Sequence, residues 1–411
     1  MQILTLLRSH EAWLAFLEYK QRSGNLMNWE LKALSGFIEQ RRYLQVARRI
    51  ESGEGFSHPK KSAISKLYSE KKRIVYTYPP DENTALKFIT YHLLRKYDHL
   101  FPPNLYSFRP HTGVGNAIRN LSRHRQTGAM YSYKADISNY FNSIPVKCLL
   151  PLLEETLHEE PALFHFLASL LEDPYVIDDG KQVREEKGIM AGTPVSTFLA
   201  NLYLIDLDWA FFREKRLYAR YSDDIILFSS GSDELEMDIQ RIYRHLESKG
   251  LSINPRKESR TAPEEPWVFL GLVYCNGVID VAPASVDKIK AKMRRKARAL
   301  KRWADRKDLP GERAAKAFIR VFNRKLFQAE SDHDLTWARW YFPLITTADS
   351  LHAIDLYAQE CIRYLATGKH TKAAYNFRYE QMKELGYICL VNAYYAHKRG
   401  EDYNFAVESV D

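Results

Sequence analysis

The sequence predicts an α+β chain of several subdomains, helical at both ends with an antiparallel sheet between. Three observations predict it. First, Leu217-Tyr218-Ala219-Arg220-Tyr221-Ser222-Asp223-Asp224-Ile225-Ile226-Leu227-Phe228 sets β-prone residues on both sides of two carboxylates. This reads as a hairpin with Asp223 and Asp224 at its turn. Second, residues 1–56 carry apolar side chains at helical spacing, among them Leu4, Leu7, Trp13, Phe16, Leu31, Leu34, Phe37 and Ile38. Third, beyond Val281 the chain turns into a Lys/Arg-rich and then an aromatic helical pattern. At 411 residues there is room for two or three subdomains with a sizeable core.

Taken in order, the N-terminal helices show no chemistry and read as a packing cap. A polar, Lys-rich connector follows over 57–70. Lys71-Lys72-Arg73 then runs into an alternating strand, Ile74 to Tyr78, followed by a helix over Leu86–His99 and by Leu105-Tyr106-Ser107-Phe108-Arg109-Pro110. The stretch from Tyr131 is a strand ending in Asp136, with a helix from Val146 to Leu157 after it. An isolated Asp-Asp pair is ordinarily a polar turn. A third carboxylate leaving a neighbouring strand changes that reading, because clustered anions near a buried sheet repel unless cations neutralise them. Two divalent cations about 3.5–4 Å apart can clamp the attacking and leaving oxygens of a phosphoryl transfer. Oxygen ligands favour Mg²⁺, with Mn²⁺ as a possible substitute.

These segments resemble, in order, the motifs of reverse transcriptases. Arg73 and Tyr106–Pro110 match two fingers motifs, Asp136 with Phe141 the first palm motif, and Tyr221–Asp224 the YxDD box. Gly188-Ile189-Met190-Ala191-Gly192-Thr193-Pro194-Val195-Ser196-Thr197-Phe198-Leu199-Ala200-Asn201 resembles the family's G-x-P-Q-G-x-P-x-S-P-x-L-x-N. It departs at Met190 for Pro, Ala191 for Gln and Thr197 for Pro. The family's Gln lies near the templating base pair, so Ala191 implies altered template handling. Gly250–Lys257 matches the motif whose Lys protonates the leaving pyrophosphate, and Trp267–Tyr274 resembles the primer grip.

The resemblance implies a right-hand polymerase: a helical N-terminal extension (1–56), fingers (57–130), a palm with a ferredoxin-like antiparallel sheet and fingers insertions (131–283), a basic helical thumb (284–333) and an aromatic helical C-terminal extension (334–411). It implies that Asp136, Asp223 and Asp224, with the Ile137 carbonyl, hold two metal ions. Lys257 is the implied general acid. Lys72, Arg73, Arg109, Phe141 and Gly192 are the implied nucleotide-binding residues. The aromatic ring at Phe141 would exclude a 2′-hydroxyl, and Ser222 would lie beside the primer terminus.

Charge agrees with a polyanionic partner. The net charge is +9, yet residues 284–330 alone hold sixteen Lys or Arg against five Asp or Glu, so the remainder is slightly acidic. Lys288, Lys292, Arg295 and Arg302 recur near helical spacing there, as a thumb tracking phosphates would require. In the tail, Arg363, Lys369, Lys372, Arg378 and Lys383 are interleaved with aromatic rings, a composition suited to single-stranded RNA.

Four cysteines without a CxxC pair argue against a zinc ribbon or a disulfide framework and for a reducing compartment. Met1–Leu7 is interrupted by Arg8, His10 and Glu11 too early for a signal peptide, and no apolar run approaches the roughly 20 residues of a membrane span. The expectation is a cytoplasmic protein without a membrane partner.

Trp340–Leu365 with Gly386–Tyr395 resembles the tail of bacterial defence-associated reverse transcriptases of the "unknown group" lineages, nearest to type 2. Such an enzyme copies a structured non-coding RNA into cDNA from dNTPs. Alternatives from the same motifs are untemplated or protein-primed synthesis by an abortive-infection-type enzyme, or a retron- or group II intron-like enzyme. Oligomeric state is left open.

Overall fold

The computed structural model describes residues 2–23, 26–65, 72–124, 127–327, 336–369 and 371–401. Its strands are β1 (Lys60–Ser65), β2 (Lys72–Thr77), β3 (Tyr131–Asp136), β4 (Tyr175–Asp178), β5 (Lys181–Arg184), β6 (Leu217–Tyr221), β7 (Asp224–Ser229), β8 (Ser259–Thr261), β9 (Trp267–Phe269), β10 (Leu272–Cys275) and β11 (Val278–Val281). The acidic hairpin belongs to a four-stranded antiparallel sheet in the order β6-β7-β3-β8. The helix Ser232–Ser248 packs on β3 and β7, burying Leu235, Ile239, Ile242 and Leu246 at helical spacing. The helix Ser196–Tyr203 is buried at nearly every position, and Ala200 O accepts from Tyr140 Oη at 2.6 Å. This is a mixed helix and antiparallel-sheet arrangement, the α+β class that the sequence predicts.

A second sheet, β2-β1-β4-β5, that periodicity did not reveal joins the stretch expected as fingers to residues 175–184. The 57–70 stretch, expected as a connector, pairs as β1 with β2 over six residue pairs. All four residues of β5 are exposed, so the apolar alternation that marks a half-buried strand is missing. Lys71 of the basic cluster lies outside the described residues. The expected helix at Leu86–His99 starts at Pro80 and ends at Lys96. Proline in its first turn is preorganised for helix, and Asp81 and Glu82 there suit the helix dipole. Glu82 is buried, accepting from Arg49 Nη1 at 2.7 Å and from the Ser57 amide at 3.2 Å.

Two compact units divide the chain, and the division falls between Glu264 and Glu265. The sheet β9-β10-β11, expected within the palm, therefore groups with the helices that follow it. Local bonds explain this. The Ile279 amide donates to Thr346 Oγ1 at 2.9 Å, and Asp280 accepts from the Ser350 amide at 3.0 Å, at the start of the helix Asp349–Thr367. That helix packs on both Pro283–Arg306 and Gly311–Leu326. The stretches expected as thumb and C-terminal extension, separated at residue 333 by sequence, thus have their helices packed together.

Beyond Gly368 a 3₁₀ turn, Lys372–Asn376, and a short helix, Tyr379–Glu384, precede a final helix, Leu390–Lys398. Buried Asp355 anchors that last helix, accepting from Tyr387 Oη at 2.7 Å and from the Leu390 and Val391 amides at 2.9 and 3.0 Å. All four cysteines are free thiols. No helix among the described residues is long and apolar enough to cross a membrane.

A Cβ at Gly311 would stand 2.5 Å from the Leu365 and Ala366 carbonyl oxygens, whereas one at Gly36 would meet nothing within 4 Å. Gly311→Ala is expected to lower stability by about 1–3 kcal/mol through overpacking. Gly36→Ala, in a helix interior, should raise it by about 0.5–1 kcal/mol. Denaturant unfolding of the two variants checks both signs.

Candidate active site

The connection between β6 and β7 is two residues long, Ser222-Asp223, closed by the pair Tyr221↔Asp224. Ser222 has φ 60°, while Asp223 is not left-handed. A positive φ at the first central residue alone is the type II′ pattern, which ordinarily takes Gly there. A serine held in this region costs about 1–3 kcal/mol. The turn nonetheless projects both carboxylates at one end of the sheet. Asp136 stands opposite Asp224 in the β3–β7 register, and the Ile137 amide donates to Asp223 O at 2.9 Å. Beyond β3, Asp136 O accepts from the Asn254 amide at 2.8 Å, and the turn over 254–257 brings Lys257 Nζ to within 2.5 Å of Asp136 Oδ2.

Electrostatics at this end favour a cation. Burial, then the charge of Asp136, raises the Asp223 carboxyl above its ordinary range, with Lys257 and Arg73 acting in the other direction. Burial pushes Asp224 up to about 6, Lys134 opposing it and Asp223 and Asp136 adding to it. Among the described residues no group of three His, Cys, Asp or Glu is placed to hold a metal ion. Asp136 and Asp223, linked by the bond of the Ile137 amide to the Asp223 carbonyl, present the carboxylate oxygens that a hard divalent cation takes.

Strand β2 is tied to this region by side-chain and backbone bonds. Lys72 and Arg73 are exposed at the start of β2. Asn142 ties this strand to the palm, donating to Ile74 O at 3.3 Å and accepting from the Ala191 amide at 2.8 Å. Ala191 O in turn accepts from the Tyr76 amide at 2.8 Å. Gly192 has φ 100°, and a Cβ there would lie 3.1 Å from Tyr76 O, so the loop needs glycine on two counts. Met190 explains one departure from the family pattern. Its φ is 62°, whereas the proline ring fixes φ near −65°, so this backbone excludes the proline of the motif. The Phe141 ring is half-buried, its centroid 6.4 Å from that of Phe108, which is 6.2 Å from Tyr221.

The family profile described as "Reverse transcriptase (RNA-dependent DNA polymerase)" matches residues 58–274, more than half of the 411. The chain belongs to the reverse transcriptase family. The matched domain is that of an RNA-directed DNA polymerase. No curated protein matches. Solved structures with similarity include apo telomerase from Candida tropicalis (12% identity, 84% of this chain and 62% of that one, TM-score 0.49). The same telomerase truncated of its C-terminal domain gives 13% identity, 57% and 58% coverage and a TM-score of 0.44. Telomerase from Candida albicans in complex with the TWJ fragment of telomeric RNA gives 12%, 86%, 71% and 0.44. This chain thus spans 58% and 62% of the first two of these.

Not every residue the reverse transcriptase motifs suggested is available for a nucleotide. All five Arg109 donors point at protein. Nε and Nη2 reach the Asp98 carboxylate at 2.7 and 3.1 Å, Nη1 reaches the Pro102 and Leu105 carbonyls, and Nη2 also reaches Asp98 O. Arg109 is therefore a loop clamp, and a phosphate would find no donor on it. Lys288, Lys292, Arg295 and Arg302 lie on the helix Pro283–Arg306 of the other compact unit, away from its buried Val286, Ile289, Met293 and Ala297. Burial, then Lys325, Arg295 and Lys288, lowers the Lys292 pKa, the mark of a crowded cationic face.

Beneath the reverse transcriptase hairpin lies a network that the motifs did not disclose. Arg220 and Asp208 are both 0% exposed. Arg220 Nε donates to Asp208 Oδ1 at 2.8 Å, Nη2 to Asn201 O at 3.1 Å and Nη1 to Ser222 O at 3.3 Å. Burial works against the guanidinium charge, but Asp208 more than offsets it and raises its pKa. The Arg220 backbone also bonds Asn104 O and the Tyr106 amide, both at 3.0 Å. Ser107 and Asn201 exchange hydrogen bonds of 2.8 and 2.7 Å. A charge inside an otherwise apolar strand was the available signal, since such a charge is buried only with a partner.

Removing one member of a buried pair strands the other. Arg220→Met is expected to cost about 3–5 kcal/mol. Adding Asp208→Asn, which removes the stranded charge, should recover part of that loss, a non-additivity that a double-mutant cycle in denaturant measures directly.

Proposed function

We propose that this chain is an RNA-templated DNA polymerase whose palm works with two divalent cations, Mg²⁺ by preference. One observation carries the reading: Asp136, Asp223 and Lys257 converge at one sheet end, and the charge of Arg73 on β2 reaches Asp223. When bound, the cations supply charge that stabilises the primer oxyanion and the leaving pyrophosphate. The residues do the rest by position. Asp136 and Asp223 hold the cations, and Asp224 adds negative potential from the opposite strand. Arg73 and Lys72 neutralise the triphosphate at the fingers edge. Phe141, against Phe108, closes the floor beneath the sugar and leaves no room for a 2′-hydroxyl. Lys257 releases Asp136 and gives its proton to pyrophosphate as general acid. Preorganised charge is the main catalytic device in this reading.

The finer assignment is a cytoplasmic, defence-associated enzyme that copies a structured non-coding RNA into cDNA. Its support is the likeness of Trp340–Leu365 and Gly386–Tyr395 to those enzymes. Purifying the protein with its nucleic acid and sequencing both strands tests it, the expected result being one RNA and a defined start. A second reading, untemplated or protein-primed synthesis, is favoured by Ala191, which offers no side-chain amide to a templating pair. Product sequence independent of added template would decide for it.

Asp223→Asn combined with Asp224→Asn should reduce primer extension on the order of 10³-fold or more, with thermal stability unchanged or raised because burial disfavours both charged carboxylates. Extension near the wild-type rate would sink the assignment. Phe141→Ala should relax discrimination against ribonucleotides by on the order of 10- to 100-fold, read as the ratio of kcat/KM for dNTP over rNTP.

A further inference from the structure

Strand β2, which carries Lys72 and Arg73, is the terminal strand of its sheet and pairs with β1 along one edge. A terminal strand leaves backbone donors and acceptors on its other edge to be met by something else. On β2 two of them are met without another strand. The Tyr76 amide donates to Ala191 O at 2.8 Å. Ile74 O, two residues earlier and so on the same edge, accepts from Asn142 Nδ2 at 3.3 Å. Asn142 Oδ1 in turn accepts from the Ala191 amide at 2.8 Å. One side-chain amide thus stands where a peptide unit of a neighbouring strand would, its N–H on β2 and its C=O on the loop over 188–192.

The same loop rests on the backbone of Phe141 and Asn142. The Ile189 amide donates to Phe141 O at 2.9 Å. A Cβ on Gly188 would lie 2.6 Å from the Asn142 carbonyl carbon and 2.7 Å from Phe141 O. Asn142 is half-buried, and its amide joins protein to protein. Any effect it has on a nucleotide therefore passes through the parts it joins. One of these is the carbonyl of Ile74, the residue after Arg73, whose charge acts on the Asp223 carboxyl. The far end of β2 has its own anchor, because Tyr76 Oη donates to Glu185 Oε1 at 2.9 Å and Glu185 pairs with Lys61 at 2.7 Å. The Asn142 bond lies nearer the Arg73 end.

We infer that Asn142 is a positioning residue for the incoming nucleotide: through Ile74 it sets where Arg73 stands, and through Ala191 it keeps the 188–192 loop seated on Phe141. The effect on a nucleotide rests on the polymerase reading; the two-ended bridge does not. Small displacements of a charged group from its productive place are enough to weaken binding or rate, so a residue that touches no substrate can govern both.

Two variants separate the ends of the amide. Asn142→Leu has nearly the same shape and removes both bonds, whereas Asn142→Asp keeps an oxygen for the Ala191 amide and offers no donor to Ile74 O. In steady-state primer extension with one dNTP varied, Asn142→Leu should raise KM about tenfold with kcat within about twofold, the scale of one charge-assisted hydrogen bond to phosphate made less well. Asn142→Asp should raise KM as well. The ratio of kcat/KM for dNTP over rNTP should fall in Asn142→Leu, where the loop is released from Phe141, and stay at the wild-type value in Asn142→Asp. In an Arg73→Gln background, whose own KM is raised, Asn142→Leu should add less than about twofold. Hydrogen exchange at the Ala191 amide reads the bridge without catalysis: Asn142→Leu should speed it about tenfold, and Asn142→Asp should leave it as in wild type. An unchanged KM, with kcat and melting temperature lowered together, would make Asn142 a structural residue only and overturn the proposal. A KM effect that multiplies in full on Arg73→Gln would overturn the route through Arg73. If Asn142→Leu does not fold, Asn142→Asp carries the same KM and background comparison. Absence of primer extension by the wild-type protein would count against the polymerase reading alone, since the exchange comparison still reports the bridge.

Discussion

The ion pair of Arg220 and Asp208 is the interaction on which the acidic turn between β6 and β7 depends. It joins three successive elements and one far earlier segment of the chain. Arg220 belongs to β6, Asp208 to the helix Ile205–Arg213, and Asn201, whose carbonyl Arg220 also holds, to the helix Ser196–Tyr203. Through its backbone Arg220 pairs with the segment that begins at Asn104. A buried pair of this type gives little net stability against an apolar substitute, yet it is strongly directional. An apolar core would tolerate small slips between these elements. A guanidinium with acceptors on three of them does not.

That rigidity explains how the surrounding backbone can be strained. Ser222, Met190, Phe108 and Asn139 all have positive φ without being glycine, and all four stand in the motif segments. Each costs on the order of 1–3 kcal/mol and persists only where neighbours over-determine it. At Ser222 the carbonyl is held by Arg220. At Met190 the side chain is fully buried, and the backbone is fixed by bonds to Lys187 and from Thr193. The result is a carboxylate turn whose position is set by the core below it instead of by the hairpin sequence alone.

Much of this was legible in the residues, and what was not has a physical cause. Carboxylates flanked by apolar strands have few uses, so Asp136, Asp223 and Asp224 were readable, as was the glycine at 192 that the close approach to Tyr76 demands. Arg109 was not, because its partner Asp98, in a 3₁₀ turn after the helix Pro80–Lys96, is met only once the chain folds back, and a sequence motif does not reveal how many donors are already engaged. Asn201 was matched as a motif residue, but only coordinates show it locking Ser107. The strands β1, β4 and β5 escaped because they are short and β5 is exposed throughout, so the apolar alternation on which such readings rely is missing or too brief. In the tail, only the folded chain shows Tyr387 and the Leu390 amide reaching Asp355.

The glycine at 311 has a consequence for how this protein could have diverged. The first turn of the helix Gly311–Leu326 lies against the carbonyls of Leu365 and Ala366 with no space for a methyl group. The basic helices and the C-terminal segment are thus moulded on each other and do not meet as separate parts. A lineage could not exchange its tail for that of another while keeping its own basic helices. Recombination that respected the fold would have to carry the whole stretch from β9 onward. The stretch from β9 onward is, in that sense, one block.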